Sequence, residues 1–119
     1  MKFILFGRCP SKKNSKQIVC RGARPILLPS KAHKEWHESA SWELKEQKVP
    51  YFDKVKRLDF TLYAPDLRIG DLSNRFDSVA DLLVDNGIID DDNWNILGNV
   101  WMFFGGVDRL KPRVEVEIL

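Results

Sequence analysis

The sequence predicts an α+β domain in which a mixed or antiparallel β-sheet packs with two main helices. The first reason is that segments of period two and period 3.6 follow one another in the order β-β-β-α-β-α-β-β. The second is size, since 119 residues suit one domain, residues 1–119, large enough to bury a core. The third is a composition of 44% apolar and 30% charged residues, which is typical of soluble globular chains.

Three short strands are predicted before the first helix. Met1–Gly7 alternates weakly and predicts the first strand. Residues 8–16 are rich in turn formers and cations, which predicts a loop. Gln17–Cys20 and Pro25–Leu28 are short apolar runs on either side of a glycine-containing turn, so together they predict a β-hairpin.

Two helices are predicted, one in each half of the chain. Ser30 is a good N-cap for a helix over about 31–47. Ser73 or Asn74 caps the second helix, which runs to about residue 86 and is followed by a glycine that can end it. Each helix has an apolar stripe that should face the core, formed by Trp36, Ala40 and Leu44 in the first and by Phe76, Val79, Ala80 and Leu83 in the second.

Further strands lie on either side of the second helix. Residues 56–64 alternate, with Leu58, Phe60 and Leu62 on one face. Residues 99–104 and Arg113–Ile118 are the last two strands, and Gly105-Gly106 should join them as a closing hairpin. Before them lies an acidic turn, which Trp94 and Ile96 are expected to anchor.

Composition also limits the functions that fit. No run of about eighteen apolar residues exists, so the sequence predicts no membrane span. Cys9 and Cys20 lack metal-ligand spacing and are expected to be reduced thiols of an intracellular, cytoplasmic protein. Residues 1–48 carry a net charge of +7 and residues 71–119 one of −6. This asymmetry suggests a polyanion bound by one half and a metal by the other, although solvated surface charge explains it equally well.

An acidic stretch over residues 71–94 is the most informative feature. It places seven aspartates around one short helix with a single cation, Arg75; they are Asp71, Asp77, Asp81, Asp85, Asp90, Asp91 and Asp92. Like charges four apart on a helix repel by roughly 0.2–0.5 kcal/mol. A divalent metal, Mg²⁺ or Mn²⁺, would make such crowding useful because it prefers oxygen ligands. Taken alone, Asp71 is explained as a partner of the helix dipole, and the three consecutive residues Asp90–Asp92 are explained as a solvated acidic turn.

The loop over residues 11–16 combines ammonium groups with hydroxyl and amide donors, which is the chemistry of DNA-phosphate contact. The candidate DNA-binding residues are Lys12, Lys13, Asn14 and Lys16 of this loop together with Arg75, and a solvated loop is the alternative. His33 and His37 have a spacing that can bind zinc. They lack the Glu-containing pattern of metalloproteases and any nearby cysteine, which favours surface histidines.

The chain resembles the RusA family of Holliday-junction resolvases over nearly its whole length. The matching motifs occur in the expected order: the Pro10–Asn14 loop, the Leu28–Lys31 start of a Trp-bearing helix, Asp71-Leu72-x-Asn74, Asp81-x-Leu83, Gly87 and Asp91-Asp92. The resemblance implies a homodimeric, Mg²⁺-dependent endonuclease of bacterial or phage origin that cuts four-way DNA junctions by paired nicks. It also implies that Asp71 and Asp92 are metal ligands, that Asp91 is a ligand or its support, and that Asn74 orients the site.

Two positions depart from the family pattern. Ser73 stands where the family usually has a second aspartate, and Asp77 stands where it has a catalytic lysine. We expect Asp77, or in second place Asp81, to restore the missing carboxylate. Lys12, Lys13 or Arg75 would then supply the cation that stabilises charge on the phosphate.

Two other functions stay open at this point. The first is a non-catalytic DNA-binding module whose acidic cluster is structural or binds a partner protein. It predicts DNA binding that is sensitive to salt and indifferent to metal. The second is a nuclease for branched or flapped DNA in general, for which four-way junctions are one substrate among several.

Overall fold

The computed structural model describes residues 1–12, 16–21 and 24–119, and over residues 16–21 and 24–29 it describes the backbone alone. The elements are β1 (Lys2–Phe6), β2 (Lys16–Arg21), β3 (Arg24–Pro29), α1 (Lys31–Glu46), β4 (Val55–Ala64), α2 (Leu72–Asp85), β5 (Leu97–Val107) and β6 (Arg113–Ile118). Their order is the predicted one, and the α+β class with a mixed sheet and two helices is confirmed.

A four-stranded mixed sheet in the order β1-β6-β4-β5 forms the centre of the fold. β6 runs antiparallel to both β1 and β4, whereas β5 runs parallel to β4. Parallel neighbours need a crossover connection, and α2 supplies it between β4 and β5. β2 and β3 form the predicted hairpin as a separate two-stranded sheet.

The closing hairpin predicted for the last two strands is wrong. β5 continues through both glycines to Val107, and β4 lies between β5 and β6. The register explains the glycines, because Leu62 pairs with Phe104 while Tyr63 pairs with Gly106, which leaves Gly105 as the extra residue of a β-bulge. A Cβ atom at Gly105 would lie 2.7 Å from the Tyr63 ring. The two glycines therefore accommodate a bulge inside a strand and do not form a turn.

The core lies between the sheet and the two helices. The residues predicted for the two apolar stripes of α1 and α2 are buried. Leu58, Phe60 and Leu62 of β4 are buried on the face that α2 covers, where the rings of Phe60 and Phe76 meet edge to face at 5.7 Å. Trp94, expected to anchor its turn, is 86% exposed. Among the described residues, no helix has the length and apolarity needed to cross a membrane.

α2 begins earlier than the sequence predicts. The N-cap is Asp71 and not Ser73 or Asn74. The Asp71 carboxylate accepts a hydrogen bond from the Ser73 backbone N–H. Ser, Asn and Asp are all good caps, so composition alone does not select among three of them within four residues. The first turn is fixed instead by the loop that follows β4, which delivers Asp71 in extended conformation.

The two edges of the four-stranded sheet differ. At β1, the Gln47 side chain accepts from the Ile4 N–H at 2.8 Å and donates to the Ile4 carbonyl at 2.7 Å, and Glu43 accepts from the Phe6 N–H at 3.0 Å. β5 forms the opposite edge among the described strands, and none of its eleven residues is charged. Four consecutive apolar side chains of β5 are between 38% and 58% exposed; they are Trp101, Met102, Phe103 and Phe104.

Candidate functional site

Asp71 lies where the loop after β4 enters α2. Its Oδ1 accepts from the Ser73 backbone N–H at 3.0 Å and from the Ser73 hydroxyl at 2.7 Å. The helix dipole favours a negative charge at this end of α2. Ser73 therefore orients one oxygen of Asp71, and the neighbouring Asn74 lies half-buried in the first turn.

Asp91 and Asp92 form a turn with unequal electrostatics. Asp91 accepts from the Asp92 N–H at 2.8 Å and from the Asn93 side chain at 3.0 Å, and these donors lower its pKa. Burial raises the pKa of Asp92, and the nearby carboxylates of Asp91 and Asp81 raise it further. Asp92 thus lies in a negative potential that would stabilise a proton or a bound cation.

Lys12 is a cation that the structure brings to the acidic face of α2, which Asp77, Asp81 and Asp85 form. Its Nζ lies 3.2 Å from one carboxylate oxygen of Asp81 and 3.1 Å from the other. Asp81 is the main cause of the raised pKa of Lys12, and the negative charges of Asp77 and Asp92 add to it. The loop predicted to contact DNA therefore meets the acidic residues of α2 at this ammonium group.

His37 ties the acidic face to α1. Its Nε2 lies 2.9 Å from Oδ2 of Asp85, and its ring centroid lies 6.0 Å from that of His33. Burial and the neighbouring His37 lower the pKa of His33. Sequence reasoning treated both as surface histidines and missed this contact, because it joins residues 48 positions apart through helix packing.

The acidic residues are of the ligand type that a hard divalent cation prefers, but they do not form a complete coordination site. Asp71, Asp91 and Asp92 offer only carboxylate oxygens, which Mg²⁺ and Mn²⁺ prefer. Within the described parts of the chain, no three histidine, cysteine or carboxylate side chains converge as metal ligands. The carboxylates thus fit a divalent cation in their oxygen ligands and in the negative charge around Asp92. Binding of a metal would require their side chains to move closer together.

A pocket of about 400 Å³ opens beside Asp71, whose chain neighbours Gly70 and Leu72 line it. Much of its lining is apolar and comes from β4, β5 and the loop after β4; these residues are Leu62, Ala64, Pro65, Leu67, Ile69, Phe104 and Val107. Three arginines and one carboxylate also line it; they are Arg8, Arg68, Arg75 and Asp66. Sequence reasoning missed this pocket because its walls come from distant segments.

Arg75 connects the pocket with the acidic site. One guanidinium nitrogen, Nη1, donates to the Asp71 carbonyl at 3.2 Å. A Cβ atom at Gly70 would lie 2.7 Å from the guanidinium carbon, so the glycine is what lets Arg75 lie against this backbone. Arg75, a predicted DNA contact, is therefore held between the pocket and the residue predicted to bind metal.

Asp66 holds the other two arginines. Its Oδ2 accepts from Arg68 at 2.9 Å and 3.1 Å and from Arg8 at 3.3 Å. Arg68 is the main reason that the pKa of Asp66 falls to about 2. The carboxylate is therefore ionised at neutral pH and keeps both guanidinium groups at the pocket.

The remaining predicted site residues lie in the basic loop. Lys13 and Asn14 are outside the described residues. Lys16 begins β2, and its side chain is also outside the description. The observed link between this loop and the acidic face is thus the one made by Lys12.

Comparison with known proteins gives independent evidence for the family of this chain. The chain is 30% identical over 91 residues to the crossover junction endodeoxyribonuclease RusA of Aquifex aeolicus (strain VF5). The aligned segment covers 76% of this chain and 71% of the Aquifex protein. No family model matches the chain.

Proposed function

Because the chain belongs to the RusA family of crossover junction endodeoxyribonucleases, we propose that it is a metal-dependent nuclease that resolves four-way DNA junctions. The observation that carries this proposal beyond family membership is the ion pair between Lys12 and Asp81, to which Asp77 and Asp92 add further negative charge. Carboxylates that can hold a metal, beside an ammonium that can face a phosphate, are the groups that phosphodiester hydrolysis needs. We place this activity in the cytoplasm of a bacterium, on host or phage DNA.

Asp71 and Asp92 are the proposed metal ligands. Support for Asp71 is its position at a helix N-terminus with Ser73 orienting one oxygen, and support for Asp92 is the negative potential around it. Asp91 is already fixed by two hydrogen bonds, which suits a supporting role. When bound, Mg²⁺ or Mn²⁺ would polarise the phosphodiester and lower the pKa of the attacking water.

The two departures from the family pattern receive complementary roles. Ser73 contributes a hydroxyl that holds Asp71, in place of a second charge. Lys12 pairs with Asp81, which leaves Asp77 as the carboxylate that compensates for Ser73. Lys12 in turn takes the place of the family's catalytic lysine and neutralises charge on the phosphate.

We further propose that two copies of the chain act together, since a junction is resolved by two symmetric cuts. The outer edge of β5 supports this, because it is long, uncharged and rich in exposed apolar side chains. Edges of this kind pair readily with another strand, and proteins usually protect them with charges or coverage. Antiparallel pairing of two β5 strands around a two-fold axis would continue the sheet from one copy into the other.

The decisive experiment is cleavage of a labelled synthetic four-way junction with Mg²⁺, beside a linear duplex of the same sequence. We expect paired symmetric nicks in the junction alone. Asp92→Asn should bind the junction like the wild type and cut it at least about 100-fold more slowly, because a proposed metal ligand is lost. Asp53→Asn, which neutralises an exposed aspartate in the loop before β4, is the control. Wild-type cutting by Asp92→Asn would remove this residue from the mechanism.

A non-catalytic DNA-binding module is the second candidate. It is favoured by the absence of three converging metal ligands among the described side chains. In that case Lys12 is a structural partner of the carboxylates, and junction binding is the same with Mg²⁺, Mn²⁺ or EDTA and leads to no cut. Comparing junction, flap, fork and linear substrates in the same assay also separates a resolvase from a general nuclease of branched DNA.

A further inference from the structure

We propose that the pocket beside Asp71 accepts one unstacked nucleotide of the bound DNA. The inference rests on the proposed function, since it describes how the DNA substrate is held, but its evidence comes from a different set of residues. The volume of about 400 Å³ lies within the range of roughly 300–1,000 Å³ that small-molecule sites occupy. A single nucleotide is a ligand of that size class.

The apolar part of the lining suits a base. Ile69 is 101% exposed, Leu67 77% and Phe104 58%, although all three line one concave surface. Concave clusters of exposed apolar groups mark binding sites on soluble proteins. A base presents a flat face to such a surface, and an exposed aromatic ring such as that of Phe104 can stack on any base.

The charge of the lining selects a nucleotide over a purely apolar ligand. Three arginines and one aspartate give it a net charge of +2, in contrast to the acidic face of α2. Arg8 and Arg68 share Asp66, so their guanidinium groups keep donors available for an anion. A nucleotide combines both requirements, because its base is apolar on its faces and its phosphate is an anion.

The position of Arg75 links this pocket to cutting. A hydrogen bond holds its guanidinium at the Asp71 carbonyl, in space that is open because Gly70 has no side chain. A base in the pocket would thus bring its own phosphate to Arg75, directly beside Asp71. The pocket would therefore set which phosphodiester lies at the proposed metal ligands, and Arg75 acts as a positioning residue.

The test is a binding cycle in EDTA, in which no cutting occurs. Junctions that lack one base at a time around the branch point are titrated with protein, and binding is followed by fluorescence anisotropy. For the wild type, we expect loss of the base at one position to weaken binding about tenfold, the usual order for a stacked base. Phe104→Ala should bind the intact junction about tenfold more weakly and show no further loss with the abasic junction.

Phe103→Ala is the matched control for Phe104→Ala. The two residues are neighbours on β5 with similar exposure, 44% and 58%, and their side chains lie on opposite faces of the strand. Leu67→Ala and Leu110→Ala form a second pair, in which two exposed leucines differ in that Leu67 lines the pocket and Leu110 does not. We expect each control to keep the wild-type preference for the intact base.

The outcomes separate this inference from the proposed function. If the protein cuts junctions but loss of a base at any position leaves binding unchanged, the nucleotide pocket is wrong and the proposed nuclease activity is unaffected. The same holds if the Phe103 and Phe104 variants do not differ from each other in binding the intact and abasic junctions. An abasic effect abolished by Phe104→Ala supports the pocket whether or not Mg²⁺ leads to cutting. A lower mass of the free protein for Phe104→Ala but not for Phe103→Ala, measured by light scattering, would place Phe104 in the proposed β5 contact between two copies and overturn the inference. Stabilisation of the protein by a free deoxynucleoside monophosphate, with equal binding of intact and abasic junctions, would also overturn the inference.

Discussion

At the scale of single residues, Cys9 and Ser78 determine where Lys12 lies. Cys9 is 3% exposed, and its thiol donates to the Arg75 carbonyl at 3.5 Å. The hydroxyl of Ser78, fully buried in α2, donates to the Pro10 carbonyl at 2.8 Å. These two contacts fasten the chain just before Lys12 to α2, so the ammonium meets Asp81 because the backbone is already held there.

Cys9 should be chemically inert in the folded protein. Burial raises the pKa of its thiol to about 12, so the thiol is protonated at pH 8, and the thiolate is the reactive form. In a Cys20→Ser variant, where Cys9 is the remaining cysteine, a disulfide-exchange reagent should react slowly in buffer and completely in denaturant, as followed by absorbance. The denatured sample is the control. Native reaction as fast as the denatured one would mean that the loop before Lys12 is not held to α2.

At the scale of elements, α1 closes one edge of the sheet with two side chains. Gln47 bonds both backbone groups of Ile4, and Glu43 accepts from the Phe6 N–H. The other Glu43 oxygen, Oε1, is buried without a partner in the described structure. Burial is the main reason that the pKa of Glu43 is raised, so the ionised carboxylate at this contact costs stability.

Stability should depend on pH through Glu43. Because the folded pKa is above the unfolded one, the folded state binds this proton more tightly, and the resulting stability is lost as pH rises through the folded pKa. We therefore expect Glu43→Gln to be more stable relative to the wild type at pH 7 than at pH 4, as measured by urea unfolding at both values. Glu38→Gln, on the exposed side of α1, is the control, because Glu38 does not contribute to the raised pKa of Glu43. A difference between Glu43→Gln and the wild type that stays constant with pH would contradict the assignment.

The elements also define how much the sequence could predict. α1 and the alternating strands β4 and β6 follow local periodicity and were predicted, because one apolar face decides them. The parallel pairing of β5 with β4 was not predicted, and a closing hairpin was expected in its place, because this pairing is decided by the sheet and a glycine pair suits either a turn or a bulge. The sequence named the aspartates of the candidate site but not the Lys12–Asp81 contact, which joins residues 69 positions apart.

At the scale of the whole molecule, the two edges of the four-stranded sheet differ in what covers them. The β1 edge is occupied by side chains of its own chain, whereas the β5 edge presents uncharged backbone and exposed apolar groups. Trp101 of β5 is 49% exposed, and the Arg57 guanidinium lies 3.9 Å from its ring centroid. This asymmetry supports the proposal that a second copy meets the first at β5.

A charge on β5 should separate the two proposed copies, because edge lysines oppose strand pairing. Light scattering is expected to give the wild type twice the 13.8 kDa mass of one chain and to give Trp101→Lys the mass of one. Trp42→Lys is a close control, since Trp42 is 66% exposed and also lies under a cation, Lys45, but belongs to α1. A doubled mass that persists in Trp101→Lys would place the interface elsewhere, and a single-chain mass for the wild type would argue against a dimer.

The interior position of β6 has a consequence for how the fold forms. β6 lies between β1 and β4 and pairs with both. Its pairing with β1 places Lys2 opposite Glu117, and contacts between segments so far apart in sequence form slowly. The apolar side of α2 packs on this sheet, so we expect the acidic face of α2 to reach its final place late in folding, after the helices themselves have formed.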